Sequence, residues 1–338
     1  MRASLDTVRR SLSQRTLHLI LLPTEACNFR CVYCYEDFAL GRMKPGVVRG
    51  VKSLISARAP ELSKLHLGWF GGEPLLARDV VIDVMEHARR VAREHPRFQL
   101  VSDMTTNGWL LDRPLFERLV GLGVTRYQIS FDGPREAHDR KRVLAGGRGT
   151  FDRVWANVYA MRDVEGEFEV IVRIHVDHQN ETEIPAFADQ CREAFGGDRR
   201  FVLYFKALSR FGGPNDASLD ILLGRERDEA IAALQQREER DDGARVAPDV
   251  PQPVCYASTG NSFIVRADGR LSKCTVALSH RANDVGRIHA DGTLEIDSPR
   301  MARWMRGLWS GRKQVLLCPM IGLADPAQGV PEAAAASR

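Results

Sequence analysis

The chain is 338 residues long, 44% hydrophobic, and carries a formal net charge of +4. That length can bury a large core in one or two domains, and without a basic cluster the small positive excess leaves no footprint for nucleic acid. The longest apolar stretch, Leu17–Leu22, is far too short to span a bilayer, and Met1–Arg15 lacks the apolar core of a secretory signal. A cytoplasmic protein is expected, in which seven cysteines point to metal ligation more than to disulfides.

Leu17–Pro23 reads as the first strand, and a loop follows it in which Cys27, Cys31 and Cys34 are spaced C-x3-C-x2-C. Structural zinc wants four ligands, usually as two close pairs, so three thiolates leave its tetrahedron open. They suit a [4Fe–4S] cube better, each fixing one iron and leaving the fourth free for a ligand. Further strands are expected at Lys64–Phe70, Phe98–Thr105, Thr125–Phe131, Glu169–Val176 and Phe201–Ala207, with helix-patterned stretches between them. This alternation implies an α/β fold of parallel strands with right-handed crossovers. Six strands fall short of a closed (β/α)8 barrel.

The strand ends carry Phe70-Gly-Gly-Glu-Pro74, Thr105-Thr-Asn-Gly108 and Ile129-Ser-Phe-Asp-Gly-Pro134. Singly these are ordinary turn formers; repeated at successive strand ends, they point to the rim of a ligand site. Gly71 and Gly72 would let a ligand approach the backbone, and Glu73 can accept from an ammonium. In the fifth strand the two-residue period turns Val170, Val172, Ile174 and Val176 outward, and Arg173, His175 and Asp177 inward. In the sixth, Phe201, Leu203 and Phe205 face out while Tyr204 and Lys206 face in. Inward polar groups are most often structural; Arg173, His175, Tyr204 and Lys206 are the candidates for touching substrate.

Beyond the sixth strand, Ile184, Phe187, Cys191 and Phe195 having already formed a core stripe, Leu223–Arg240 reads as a charged helix broken by Pro248-Asp-Val-Pro-Gln-Pro253. Ser262–Arg266 and Leu271–Cys274 flank the turn Ala267-Asp-Gly-Arg270 and read as a hairpin. Around it lie Cys255, Cys274 and Cys318, for which an iron–sulfur cluster and a zinc site are both open readings.

The cysteine spacing, with aromatic Tyr33 before the last cysteine, resembles the signature of the radical S-adenosylmethionine (SAM) superfamily. The resemblance implies a partial (β/α)6 barrel in which Cys27, Cys31 and Cys34 hold a [4Fe–4S] cluster. The open iron would bind SAM, whose reductive cleavage yields a 5′-deoxyadenosyl radical. Carried over by position, Tyr33, Gly71, Gly72, Glu73, Asn107, Ser130 and Arg142 would form the SAM site, Glu73 on the amino group and Arg142 on the carboxylate. Ser130-Phe-Asp-Gly-Pro134, His138-Asp139, Arg142 and Gly149-Thr-Phe-Asp152 look like the subgroup of sulfatase-maturating and peptide-modifying enzymes. Cys255, the Gly269-x4-Cys274 element and Cys318 resemble the SPASM domain or its shorter twitch form, with one auxiliary [4Fe–4S] cluster and no obvious fourth cysteine.

The implied organisation is an extension over 1–15, the barrel over 16–215, a linker helix and Pro-rich boundary over 216–253, a twitch-like domain over 254–325 and a disordered tail over 326–338. The implied substrate is a ribosomally made precursor peptide, modified by cross-linking, epimerisation, thioether formation or oxidation. With about fifteen residues before the first strand, an N-terminal peptide-recognition domain has no room, so a separate protein or the domain rims would bind a leader. Flavodoxin or ferredoxin would supply the electron. The alternatives are a small-molecule dehydrogenase or cyclase with one auxiliary cluster, a formylglycine-forming enzyme, and a non-catalytic iron–sulfur carrier, against which the SAM-binding set argues.

Overall fold

A computed structural model describes residues 5–240, 245–247 and 254–323. The strands are β1 (Thr16–Leu21), β2 (Lys64–Trp69), β3 (Gln99–Thr106), β4 (Val124–Phe131), β5 (Glu169–Val176), β6 (Phe201–Ala207), β7 (Arg245–Val246), β8 (Ser262–Val265), β9 (Arg270–Ser272), β10 (Gly286–Ile288) and β11 (Leu294–Ile296). The six expected strands are β1 to β6, each displaced by at most two residues at either end. The chain forms two compact units: residues 1–26, 36–102 and 251–338 make the first, and 27–35 with 103–250 make the second.

In the first unit the strand order is β11-β10-β9-β8-β1-β2. β1 pairs in parallel with β2 on one side and with β8 on the other, and β8 to β11 continue as antiparallel pairs. Leu17, Leu19 and Leu21 alternate into the core and are fully buried. The facing helices, Pro45–Arg58 and Arg78–Glu94, bury Val51, Leu54 and Ile55 and Val81, Val84, Met85 and Ala88 respectively. Residues of the expected twitch-like domain therefore do not stand apart in sequence order. β8 takes its partner from the N-terminal strand, because a free edge of β1 offers a ladder of unmatched backbone groups that a returning strand satisfies. Helix Ser298–Ser310 starts where Asp297 accepts from the Arg300 amide, and it stops at Gly311, whose φ of 65° is left-handed.

In the second unit β4, β5, β6 and β7 are all parallel. The outward faces match the two-residue period: Tyr127, Ile129, Phe131, Val170, Val172, Ile174, Val176 and Phe205 are wholly buried. Phe131, Phe151, Trp155, Phe187 and Phe195 form an aromatic layer beneath helices Phe151–Ala160 and Ile184–Phe195. Cys191 is buried in that same helix, and desolvation pushes its thiol far up. The expected charged helix spans Gly224–Arg240. Pro248–Pro253 and the 326–338 tail lie outside the described residues. Among the described residues no helix is long and apolar enough to cross a membrane.

Candidate active site

The cysteine loop belongs to the second unit, where backbone bonds hold it at both ends. Arg30 and Val32 amides donate to the carbonyls of Val143 and Lys141 at 2.8 and 2.9 Å, and the Ala145 amide donates to Asn28 at 2.8 Å. Phe29 is buried against the edge of Trp109. Asn215 reaches the Val32 carbonyl at 2.9 Å. Asn107, at the end of β3, donates to Asn28 Oδ1 at 2.8 Å and lies 3.9 Å from Cys27 Sγ. Cys27, Cys31 and Cys34 are half-buried and form no disulfide. Burial pushes the Cys31 thiol up, and the Arg142 charge works against that shift.

Tyr33 is the centre of a buried polar network. Its hydroxyl donates to Asp132 Oδ1 at 3.0 Å and accepts from Arg142 Nη1 at 2.7 Å. His175 Nδ1 lies 3.0 Å from the same Asp132 oxygen and 3.1 Å from the Tyr33 hydroxyl. Burial works against the Asp132 carboxylate, but His175 and Arg142 outweigh it and hold its pKa at about 2. Burial takes His175 down to about 4, so its imidazole is neutral at pH 7. Lys141, beside Arg142, is committed elsewhere, to a buried ion pair with Asp177 at 2.5 Å. Three polar atoms of this layer are buried without a partner: Asp132 Oδ2, Arg142 Nε and Arg173 Nε. Orphans of this kind are costly, and two of the residues that carry them, Asp132 and Arg142, act electrostatically on Cys31, which fits a site built around a polar cofactor.

Ser130 is half-buried and aligned with Arg173, which is aligned with Tyr204; His175 is aligned with Lys206. The inward residues expected from periodicity thus share one face. The Arg173 guanidinium lies 6.0 Å from the Tyr204 ring centroid.

Glu73 belongs to the first unit and is fully buried. Its Oε1 accepts from the Leu75 amide at 3.0 Å, capping the 3₁₀ turn Pro74–Ala77, and its own amide donates to the Ala26 carbonyl at 2.9 Å. The two glycines before it admit a neighbouring backbone segment. A Cβ at Gly71 would stand 2.3 Å from the Thr24 carbonyl oxygen, and one at Gly72 would stand 2.4 Å from that of Ala26. They admit the backbone leading into Cys27, and Gly71 also has a left-handed φ of 116°.

Sequence reasoning missed Glu25. Its carboxylate is buried and takes both Nε and Nη2 of Arg266, with the Ala267 amide adding a third donor at 3.3 Å. Arg266 in turn donates to the Leu278 carbonyl at 2.8 Å. Nothing local in Thr24-Glu-Ala26 signals this pair. Asp132 was visible within its Asp-Gly turn, but its hydrogen-bond partners were not.

Cys255, Cys274 and Cys318, in the first unit, likewise form no disulfide. Burial, reinforced by the nearness of the other thiols, pushes Cys255 to about 11 and Cys274 to about 12. Such thiols ionise only when a bound cation compensates them. Lys273 between them is fully buried, donating to the Thr259 and Ser262 carbonyls at 2.7 and 2.5 Å, and desolvation lowers its pKa to about 7. Among the described residues no three His, Cys, Asp or Glu side chains converge on a single ion position. Thiolates that each take a different iron of a cube need no such convergence.

The family model for the radical SAM superfamily matches residues 21–191. The chain belongs to the radical SAM superfamily. It is therefore an enzyme of the class that uses SAM and a [4Fe–4S] cluster, with the α/β fold expected of it. The chain is 28% identical over 285 residues to molybdenum cofactor biosynthesis protein moc-5 of Caenorhabditis elegans, covering 81% of this chain and 42% of moc-5. It thus spans less than half the length of that relative. It is 26% identical over 275 residues to PqqA peptide cyclase of Gluconobacter oxydans (strain 621H), covering 79% of this chain and 72% of the cyclase. A solved structure of anSMEcpe with bound AdoMet and the Kp18Cys peptide shares its fold, with a TM-score of 0.64 at 18% identity, covering 85% of this chain and 80% of that one.

Proposed function

We propose that this radical SAM enzyme modifies a ribosomally made precursor peptide at an unactivated C–H bond. The observation that carries this reading is the similarity to PqqA peptide cyclase over most of both chains. A cluster held by Cys27, Cys31 and Cys34, together with SAM, would supply a 5′-deoxyadenosyl radical that abstracts hydrogen from substrate. Arg142 keeps an unpartnered Nε while Tyr33 and Asp132 fix its position, which suits a fork awaiting the SAM carboxylate. Glu73 takes the SAM amino group; Asn107 and Ser130 complete the contacts, with Tyr33 and the 71–72 turn as support. Cys255, Cys274 and Cys318 hold one auxiliary [4Fe–4S] cluster, and flavodoxin or ferredoxin delivers the electron. The domain that holds the auxiliary cluster is residues 254–325, with the barrel at 16–215.

Similarity to GTP 3′,8-cyclase of Klebsiella pneumoniae (strain 342), 31% identical over 177 residues, favours a second reading, a small-molecule cyclase. One experiment separates them: co-expression with short open reading frames encoded beside the gene, followed by mass spectrometry of each peptide. A mass change that needs the intact Cys27, Cys31 and Cys34 set supports peptide maturation. Unchanged peptides, together with consumption of a nucleotide in the same extracts, would replace it with the second reading.

A further inference from the structure

The inner face of the second unit is layered. The upper layer holds His175, which is hydrogen-bonded with Asp132 and Tyr33, and Lys206 aligned with it on the next strand. Two residues back along each strand, about 7 Å deeper, come Ser130, Arg173 and Tyr204 in one row. The next row is Gln128, Ile171 and Val202, of which Ile171 and Val202 are buried and apolar. Arg173 therefore sits on an apolar floor, between a hydroxyl on one side and a phenol on the other.

Two carboxylates of this region are engaged elsewhere. Asp177 is closed on Lys141. Asp132 is held by Tyr33 and His175 through Oδ1, and its orphan Oδ2 makes no bond to Arg173. Arg173 Nε is buried without any hydrogen-bond partner. A guanidinium is always charged, and leaving a buried charged donor unpaired is costly. Its geometry answers best to a planar anion that takes two parallel N–H bonds.

Resting on the peptide reading above, we propose that Arg173 receives an acidic side chain of the substrate peptide, an Asp or Glu carboxylate lowered into the row of Ser130 and Tyr204. The carboxylate replaces the missing partner of Nε. The apolar floor at Ile171 and Val202 lowers the local dielectric and strengthens the pair. The contact then fixes which segment of the peptide lies beneath the radical-generating site, making Arg173 a residue of substrate selection.

The test uses the reconstituted holoenzyme with SAM under anaerobic conditions. Two fluorescein-labelled, C-terminally amidated random dodecapeptide pools are compared by anisotropy, identical except that one carries Glu and the other Gln at alternate positions. The expected result is at least tenfold tighter binding of the Glu pool, with the preference falling below twofold in Arg173→Gln and partly restored in Arg173→Lys. Equal binding of the pools, or a preference that survives Arg173→Gln, overturns the proposal. SAM affinity is measured alongside: a tenfold loss in Arg173→Gln with the Glu preference intact makes the residue a SAM ligand and also overturns it. If neither pool binds and GTP does, the peptide reading itself falls and the carboxylate assignment goes with it.

Discussion

Cys27, Cys31 and Cys34 sit on a single loop, pinned by backbone bonds from Lys141, Val143 and Ala145 and by the side chains of Asn107 and Asn215. Cys255, Cys274 and Cys318 come from three separate segments: a 3₁₀ turn, the end of a hairpin and the end of a short helix. The first group has an arginine at hand to favour ionised sulfur. The second has a lysine that burial brings down to about 7. A compact motif is held as one loop by a few bonds around it, whereas a dispersed one depends on the packing of three separate segments. The first should fail only when a ligand is lost, and the second when any of its three supports shifts.

The largest effect is expected at the compact motif. Changing Cys27, Cys31 and Cys34 together to Ala should abolish 5′-deoxyadenosine formation with dithionite under anaerobic conditions, since no cube remains to bind SAM. Wild-type yield from that variant would remove the basis of the assignment. Changing Cys255, Cys274 and Cys318 to Ala should instead lower the reconstituted iron content from about eight to about four per chain, as two [4Fe–4S] clusters become one. SAM cleavage without substrate should continue while product formation stops. Zinc in place of the second cluster in the unaltered protein would make the C-terminal site structural.

A smaller effect sharpens the comparison within the first unit. The Glu25 and Arg266 side chains are only 2% and 6% exposed. Glu25→Gln strands a buried guanidinium and should cost about 3–5 kcal/mol in urea unfolding of the apo protein, whereas Glu25→Leu combined with Arg266→Met should recover most of it. Additive losses in the double variant would show that the two residues act independently.

The six parallel strands, the inward row from Ser130 to Lys206 and the buried stripe around Cys191 were legible from sequence, because strand and helix periods are properties of consecutive residues. The compact cysteine motif was visible too, in the spacing of its three cysteines. The backbone that Gly71 and Gly72 admit was not, since Thr24 and Ala26 lie in another strand-end loop. The local pattern gave no sign that β8 would pair with β1, that Glu25 would close on Arg266, or that Tyr33 would share Asp132 with His175. Each of these joins residues far apart in the chain, and its free energy comes from removing water around both partners at once. Sequence alone determined the elements and the donor atoms of the cysteine motif; only the tertiary structure decided which charged groups are paired and which, like Arg173 at its Nε, keep an unpartnered atom.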